Sequence, residues 1–170
     1  MRKSAAVLGS TLFFLIAPLM VAFVAPYWIA GWRVSNPFFG EPFLPVAGAL
    51  LVFLGSVPLV ESFARFALVG LGTPAPIAPT RHLVVTGFYR YVRNPMYLGV
   101  LAIILGNGLI IGNVTVLAYA AIVAIGFNLF VLGYEEPALH RQFGADYAEF
   151  CRHVPRWWPR LTPWTQARRE

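Results

Sequence analysis

The sequence predicts an all-α integral membrane protein. It has about four transmembrane helices, the last two paired as a helical hairpin, and a cytoplasmic amphipathic C-terminal helix. Three observations carry this prediction. The 170 residues are 58% hydrophobic and 12% charged, whereas soluble domains carry about 25% charged residues. The apolar residues gather into four runs, each near the roughly 20 residues a helix needs to cross the hydrocarbon of a bilayer. The basic residues are unevenly shared between the segments joining those runs.

The length suits one membrane domain, residues 1–170. Residues 1–60 supply two N-terminal spans, 61–94 a cytoplasmic loop, 95–133 the hairpin and 134–170 a cytoplasmic or interfacial tail. The first run extends from about Ala5 to Ala25 behind Arg2 and Lys3. It is too long for a signal-peptide core, and cleavage after Ala25 would put Phe23 where a small residue is wanted, so a retained span is expected. Tyr27, Trp28 and Trp32 follow it as an interfacial aromatic belt would. The second run, about Phe43 to Val60, contains Pro58, as the first contains Pro18; membrane helices tolerate such prolines.

The long second loop includes the extended, proline-rich Thr73–Thr80. The third and fourth runs cover about Pro95 to Gly112 and Val114 to Gly133, with a tight turn at Asn113 that forces a hairpin. Asn107 and Asn128, polar residues within spans, are expected to hydrogen-bond between helices. Beyond Glu135, Leu139, Phe143, Tyr147, Phe150 and Val154 recur at helical spacing, so an amphipathic helix is expected. The closing "PRWWPRLTPW", with Arg156, Trp157, Trp158 and Arg160, reads as an interfacial anchor.

Orientation follows from charge. Of the 13 lysines and arginines, only Arg33 lies in the first and third loops. The positive-inside rule therefore places both termini and the second loop in the cytoplasm. The net charge of +6 suits membrane lipids with anionic heads rather than nucleic acid. A lone Cys151 forms no intrachain disulfide. His82, His140 and His153 are scattered, without metal-ligand spacing, so no metal is expected.

The polar residues converge at one place. Asn94 is a favoured helix cap and Pro95 a favoured first helical residue. The next amides, of Met96 and Tyr97, would then lack intrahelical partners and form an anion-binding end, with Arg90 and Arg93 just before it. Spans three and four are nearly equal in length, at 1.5 Å per residue, so the chain should return Glu135 and Glu136 to the depth of Asn94. Arginines, tyrosines, a helix N-terminus and two carboxylates should meet there, as a site for a zwitterionic ligand would require.

The order Leu83-Val84, Gly87-x-Tyr89, Arg93-Asn94-Pro95-x-Tyr97, Glu135-Glu136, Phe143-Gly144-x-x-Tyr147 and Val154-Pro155 resembles the isoprenylcysteine carboxyl methyltransferase family and its relatives among phospholipid methyltransferases. The resemblance covers about Arg81 to Pro159. It implies a membrane methyltransferase that uses S-adenosylmethionine without a Rossmann fold, and the chain has no G-x-G-x-x-G fingerprint. Carried over by position, the implied cofactor-binding residues are Arg81, His82, Leu83, Val84, Tyr89, Asn94, Pro95, Met96, Tyr97, Glu135 and Glu136. The acidic pair leaves the register between the two glutamates open, with Glu136 the favoured contact. Arg93, Asn94 and Glu136 are the implied catalytic positions. The implied acceptor is a lipophilic small molecule or a lipid-anchored group.

The chain departs from that pattern twice. Asn94 stands where the carboxyl methyltransferases have histidine, and "FNLFVLGYEE" lacks the basic residue they carry shortly before the acidic pair. Those departures leave a second expectation, a non-catalytic membrane binding or assembly protein that keeps the hairpin.

Overall fold

A computed structural model describes residues 16–35, 40–68 and 82–165. The described residues contain helices and no β-strand: α1 (Ile16–Ile29), α2 (Leu44–Leu68), α3 (Pro95–Ile111), α4 (Val114–Phe130) and α5 (Glu136–His153). A 3-10 turn, Gly87–Arg90, precedes α3, and a π segment, Val131–Glu135, joins α4 to α5. Leu44–Phe66 and the joined Val114–His153 are long and apolar enough to cross a membrane; Ile16–Ile29 and Pro95–Ile111 are shorter apolar helices.

The buried helix is α3. Val100, Ile103, Ile104, Asn107 and Ile111 are buried against α1, α2 and α4. The outer helices expose large apolar side chains instead, including Phe53, Leu54 and Val57 on α2 and Ile122, Ile125 and Leu129 on α4. Water would penalise such faces, whereas lipid accepts them.

Glycines set how closely α2 and α3 approach. A Cβ on Gly48 would lie 2.6 Å from the Gly106 carbonyl oxygen, and one on Gly55 2.6 Å from that of Gly99; the converse contacts are equally short. The two antiparallel helices therefore touch backbone to backbone at two levels, seven residues apart on each. In lipid, where hydrophobic burial does not drive helix association, this close packing supplies the attraction.

The α3–α4 hairpin forms as expected. Gly112, at φ 74°, ends α3 in the left-handed conformation and donates to the Gly108 carbonyl, while Asn113 Oδ1 accepts from the Thr115 amide to cap α4. Asn107 also meets its expectation: Nδ2 donates to the Ala22 carbonyl at 2.7 Å. That carbonyl needs an outside donor because Pro26, four residues on, has no amide. A π segment, Met20–Val24, lies just before this proline, and the neighbouring Val21 carbonyl accepts from Tyr119 Oη.

Three expectations are corrected. The helix of the second run does not end near Val60. It continues to Leu68, because no glycine or proline follows there and Glu61 pairs with Arg65 one turn on, at 2.6 Å. The fourth helix does not end at Gly133. Gly133 has open surroundings, and the wider π turn carries the chain into α5 just before Pro137. Asn128 does not bond to another span; its Oδ1 accepts from Trp157 Nε1 of the tail. Phe23 and the Ala25 end of the first run are described, but Arg2, Lys3, Ala5, the Thr73–Thr80 stretch and Arg81 lie outside the described residues.

The amphipathic helix beyond Glu135 is present as α5. Tyr147, Phe150 and Val154 form a small core with Trp164, and Leu139, Phe143 and Cys151 pack on it together with Leu83 and Val85. The left-handed Gly144 (φ 50°, ψ −119°) breaks α5 between Phe143 and Ala145.

Candidate functional site

The site is assembled where the 87–95 segment, the π segment and the tail meet. Gly87 opens the 3-10 turn at φ 60°, and a Cβ there would collide with the Glu61 carboxylate. Both constraints call for glycine. The turn sends Tyr89 inward against Phe66, ring centroids 5.7 Å apart. Burial pushes the Tyr89 phenol pKa up, a Ser62 contact offsets part of that, and the nearby Glu135 and Glu61 carboxylates add to the rise.

Asn94 occupies the cap position of α3, but its side chain does not cap the helix. Its Nδ2 donates instead to the Arg156 carbonyl at 3.1 Å. The first intrahelical bond runs from the Leu98 amide to the Asn94 carbonyl, so the Met96 and Tyr97 amides precede the helical ladder. The cap expectation is therefore corrected in its side chain and kept in its position. The tail competes for the amide, and the helix start stays open.

Arg93 Nη1 donates to Glu136 Oε1 at 2.8 Å and to Cys151 Sγ at 2.9 Å. Arg156 grips the same carboxylate in a fork, Nε to Oε1 at 2.7 Å and Nη2 to Oε2 at 2.8 Å. Glu135 is placed differently: its Oε2 accepts from Tyr97 Oη at 2.8 Å. The π segment turns two adjacent carboxylates towards different partners. Their acidities separate accordingly. Burial holds the Glu135 carboxyl above the usual carboxylate range, against the Tyr97 bond and helped by the Glu136 charge. Burial would also raise Glu136, but the Arg156 bonds and the Arg93 and Arg156 charges outweigh it and hold Glu136 below that range.

These groups surround a small cavity of about 60 Å³. Leu83, Val84, Tyr89, Arg93, Asn94, Glu135 and Glu136, all expected from the sequence, line it together with Phe66, Val131, Leu139, Tyr147 and Phe150. Pro95 and Met96 are buried in the start of α3, and Tyr97 reaches the site through Glu135. His82 is exposed and is not part of the lining. Arg90 does not join the carboxylates. It turns to the tail, with Nε on the Trp164 carbonyl at 2.8 Å and Nη2 on Thr165 Oγ1 at 2.7 Å.

Sequence reasoning missed Arg156 and Trp157. This part of the tail folds back over the 90–94 segment. The Arg93 amide donates to the Pro155 carbonyl, the Arg160 amide to the Tyr91 carbonyl and the Trp164 amide to the Arg90 carbonyl. The available signal was Pro155: a proline directly after an amphipathic helix ends it and lets the chain turn back.

An all-helical fold of apolar helices, with a cationic and anionic cluster at the base of a hairpin, defines a membrane-type chain with a polar site at one end. A family model for phospholipid methyltransferases matches residues 43–146, more than half of the chain. The chain belongs to the phospholipid methyltransferase family, and membership implies methyltransferase activity in general terms. The match includes α2, where motif reading had found no resemblance, and ends before Tyr147 and the tail. No curated protein and no solved structure matches the chain.

Proposed function

We propose that this chain is an S-adenosylmethionine-dependent methyltransferase embedded in the membrane by four spans, with both termini cytoplasmic, that acts on a lipophilic or membrane-partitioned acceptor. The observation that carries the reading is the donor set of the cavity. Arg93 Nε is buried without a hydrogen-bond partner among the described residues, beside the open amides at the start of α3. Both would receive the cofactor's carboxylate. Glu135, held by Tyr97, suits its ammonium or ribose hydroxyls, while Glu136 is already engaged with two arginines and orients Arg93. Bound there, the cofactor supplies a sulfonium-activated methyl group for in-line displacement by the acceptor. The chain's own share is alignment and exclusion of water.

A cavity of about 60 Å³ is smaller than the roughly 300 Å³ or more of organic-ligand sites. Loading therefore requires side chains to move. Titration calorimetry of the purified protein with S-adenosylmethionine tests the reading. Saturable binding is expected, weakened roughly tenfold or more by Arg93→Ala or Glu135→Ala, a loss of about 1.4 kcal/mol, and unchanged by Arg141→Ala on the exposed face of α5. No saturable binding sinks the proposal. The small cavity also favours a second reading, a non-catalytic binding or assembly protein. Cofactor binding without transfer of radiolabelled methyl to any lipid or thiol acceptor would select that reading.

A further inference from the structure

The tail crosses the site as a strap. Residues 155–163 form no helix or strand, so no hydrogen-bond ladder of their own holds them. Both ends are fixed instead. Val154 and Trp164 are buried in one small core with Tyr147 and Phe150, and the Trp164 carbonyl accepts from Arg90 Nε at 2.8 Å. Between those anchors the chain arches over the 90–94 segment. Trp158 and Leu161 on the arch are exposed, so its outer side is open.

The inner side is tied to the lining of the small cavity at three points. The Arg93 amide donates to the Pro155 carbonyl at 2.9 Å, Asn94 Nδ2 donates to the Arg156 carbonyl at 3.1 Å, and the Arg156 fork holds Glu136. Arg93, Asn94 and Glu136 all line the cavity. A fourth tie, Trp157 Nε1 to Asn128 Oδ1 at 3.0 Å, reaches α4. The fork is the strong tie, because it is charge-assisted and bidentate whereas the others are neutral single bonds. Yet breaking it orphans neither partner. Glu136 keeps its bond from Arg93 Nη1, and Arg156 is partly exposed, so water takes over its donors. A strong contact that is released without leaving a buried charge unpaired has the character of a latch.

We propose that residues 155–163 are a gating strap, that the Arg156–Glu136 fork is its latch, and that ligand reaches the small cavity only while the latch is open. Volume and connectivity carry this. With the three ties made, the lining is held together, and about 60 Å³ admits no organic ligand of ordinary size. With the strap lifted, Asn94 and the Arg93 amide lose their bonds to the tail and the walls are free to part. Val154 and Trp164 keep the strap attached for closure. Closing over a loaded cavity returns Glu136 to the Arg156 fork, from which it holds Arg93 in place. The naming of the ligand as S-adenosylmethionine rests on the function proposed above; the latch does not.

Hydrogen exchange of the full-length protein without ligand, read residue by residue, tests the latch. Arg156→Ala should speed exchange of the Arg93 and Arg160 amides roughly tenfold, the worth of a charge-assisted bond. Both amides donate across the strap contact, Arg93 to Pro155 and Arg160 to Tyr91. The Trp164 amide, at the far anchor, and the α3 interior around Ile103 and Ile104 should keep wild-type protection. Trp157→Phe removes one neutral tie and keeps a ring, so it should give a smaller rise, about threefold, at the same two amides. It carries the test where Arg156→Ala does not fold. Unchanged exchange at Arg93 and Arg160 would overturn the latch. So would a rise shared by Trp164 and α3, because that is general loosening and not the opening of a strap.

Stopped-flow mixing with S-adenosylmethionine tests the gate through tryptophan fluorescence, to which Trp157 beside Tyr97 contributes. Gated entry predicts a binding rate that levels off at the opening rate as ligand rises, with a ceiling roughly tenfold higher in Arg156→Ala. A rate that climbs in proportion to ligand, or a ceiling that Arg156→Ala leaves in place, would overturn the gate. Calorimetry separates this proposal from the function itself. A wild-type protein that binds no S-adenosylmethionine but shows the expected exchange pattern supports the latch and sinks the methyltransferase reading alone. A protein that binds the cofactor but shows neither the exchange pattern nor the raised ceiling sinks the strap alone.

Discussion

Glu135 and Glu136 are neighbours in the chain with opposite electrostatic histories, and pH separates them. Glu136 is held below its ordinary pKa of 4.5, so the folded protein binds fewer protons there than the unfolded chain. Its contribution is therefore present above 4.5 and is lost as pH falls through the folded value. Glu136→Gln should lower the melting temperature at pH 7 by several degrees, from a loss on the order of 1–3 kcal/mol where Arg93 loses its partner. The deficit should shrink as both proteins are acidified. Glu135 is held above its ordinary 4.5, and the sign reverses. Its cost is absent below 4.5 and grows as pH rises through the folded value. Glu135→Gln keeps an acceptor for Tyr97 Oη and should melt at or above wild type at pH 8, converging with it in acid. Melting curves from pH 4 to 8 check both. Equal lengths of spans three and four let the sequence bring this pair to Arg93. It could not separate the two glutamates, because a π turn is a difference of one residue in hydrogen-bond register. Nor could it show that Asn94 turns its Nδ2 to the tail, since a cap uses the oxygen and the tail contact the nitrogen of one side-chain amide.

At the scale of elements, small residues and prolines decide the geometry. Gly55 and Gly99 meet where each would drive a Cβ into the other's carbonyl. Gly55→Ala and Gly99→Ala must separate the helices and should each destabilise by roughly 1–3 kcal/mol, as overpacking does. Gly126→Ala, with open space around it on α4, should be neutral or slightly stabilising, as helix propensity predicts. Thermal unfolding in one detergent compares the three; equal effects would show that the close approach is not what holds α2 to α3. Both π segments end two residues before a proline, Val24 before Pro26 and Glu135 before Pro137. Where proline withholds an amide, a switch to the i−5 register accommodates the gap, and the first such site exposes the carbonyls that Asn107 and Tyr119 take. The four apolar runs were legible from composition. The glycine pairs were not, because they sit seven residues apart and show no helix-pairing motif until the two helices are laid antiparallel. The second span's true end was hidden because Glu61 looks like the start of a polar loop, yet it pairs with Arg65 one turn on.

For the whole molecule, the structure shows which segments share an end. The Ser35 amide donates to the Ile111 carbonyl at 2.7 Å, so the segment after α1 meets the far end of α3. Gly48, near the start of α2, packs on Gly106 close to that same end. The α1–α2 connection and the Gly112–Asn113 turn therefore share one end, and the site, α5 and the folded-back tail share the other. Of the described arginines, Arg33 alone belongs to the first end. Under the positive-inside rule this asymmetry supports the proposal that the site end is cytoplasmic. Cysteine labelling tests this in membrane vesicles of known sidedness, in a Cys151→Ser background. Leu161, 99% exposed in the tail, and Ser35, exposed after α1, are the reporter positions. In right-side-out vesicles a membrane-impermeant maleimide should label Ser35→Cys at once and Leu161→Cys only after permeabilisation. Inverted vesicles should exchange the two results. Labelling of both positions from one side would contradict three crossings, by α2, α3 and α4, between residues 35 and 161. It would require one of those helices to lie on the membrane instead of through it, and Pro95–Ile111, the shortest apolar helix of the three together with its α4 partner, would be the first to re-examine by the same labelling at Asn113.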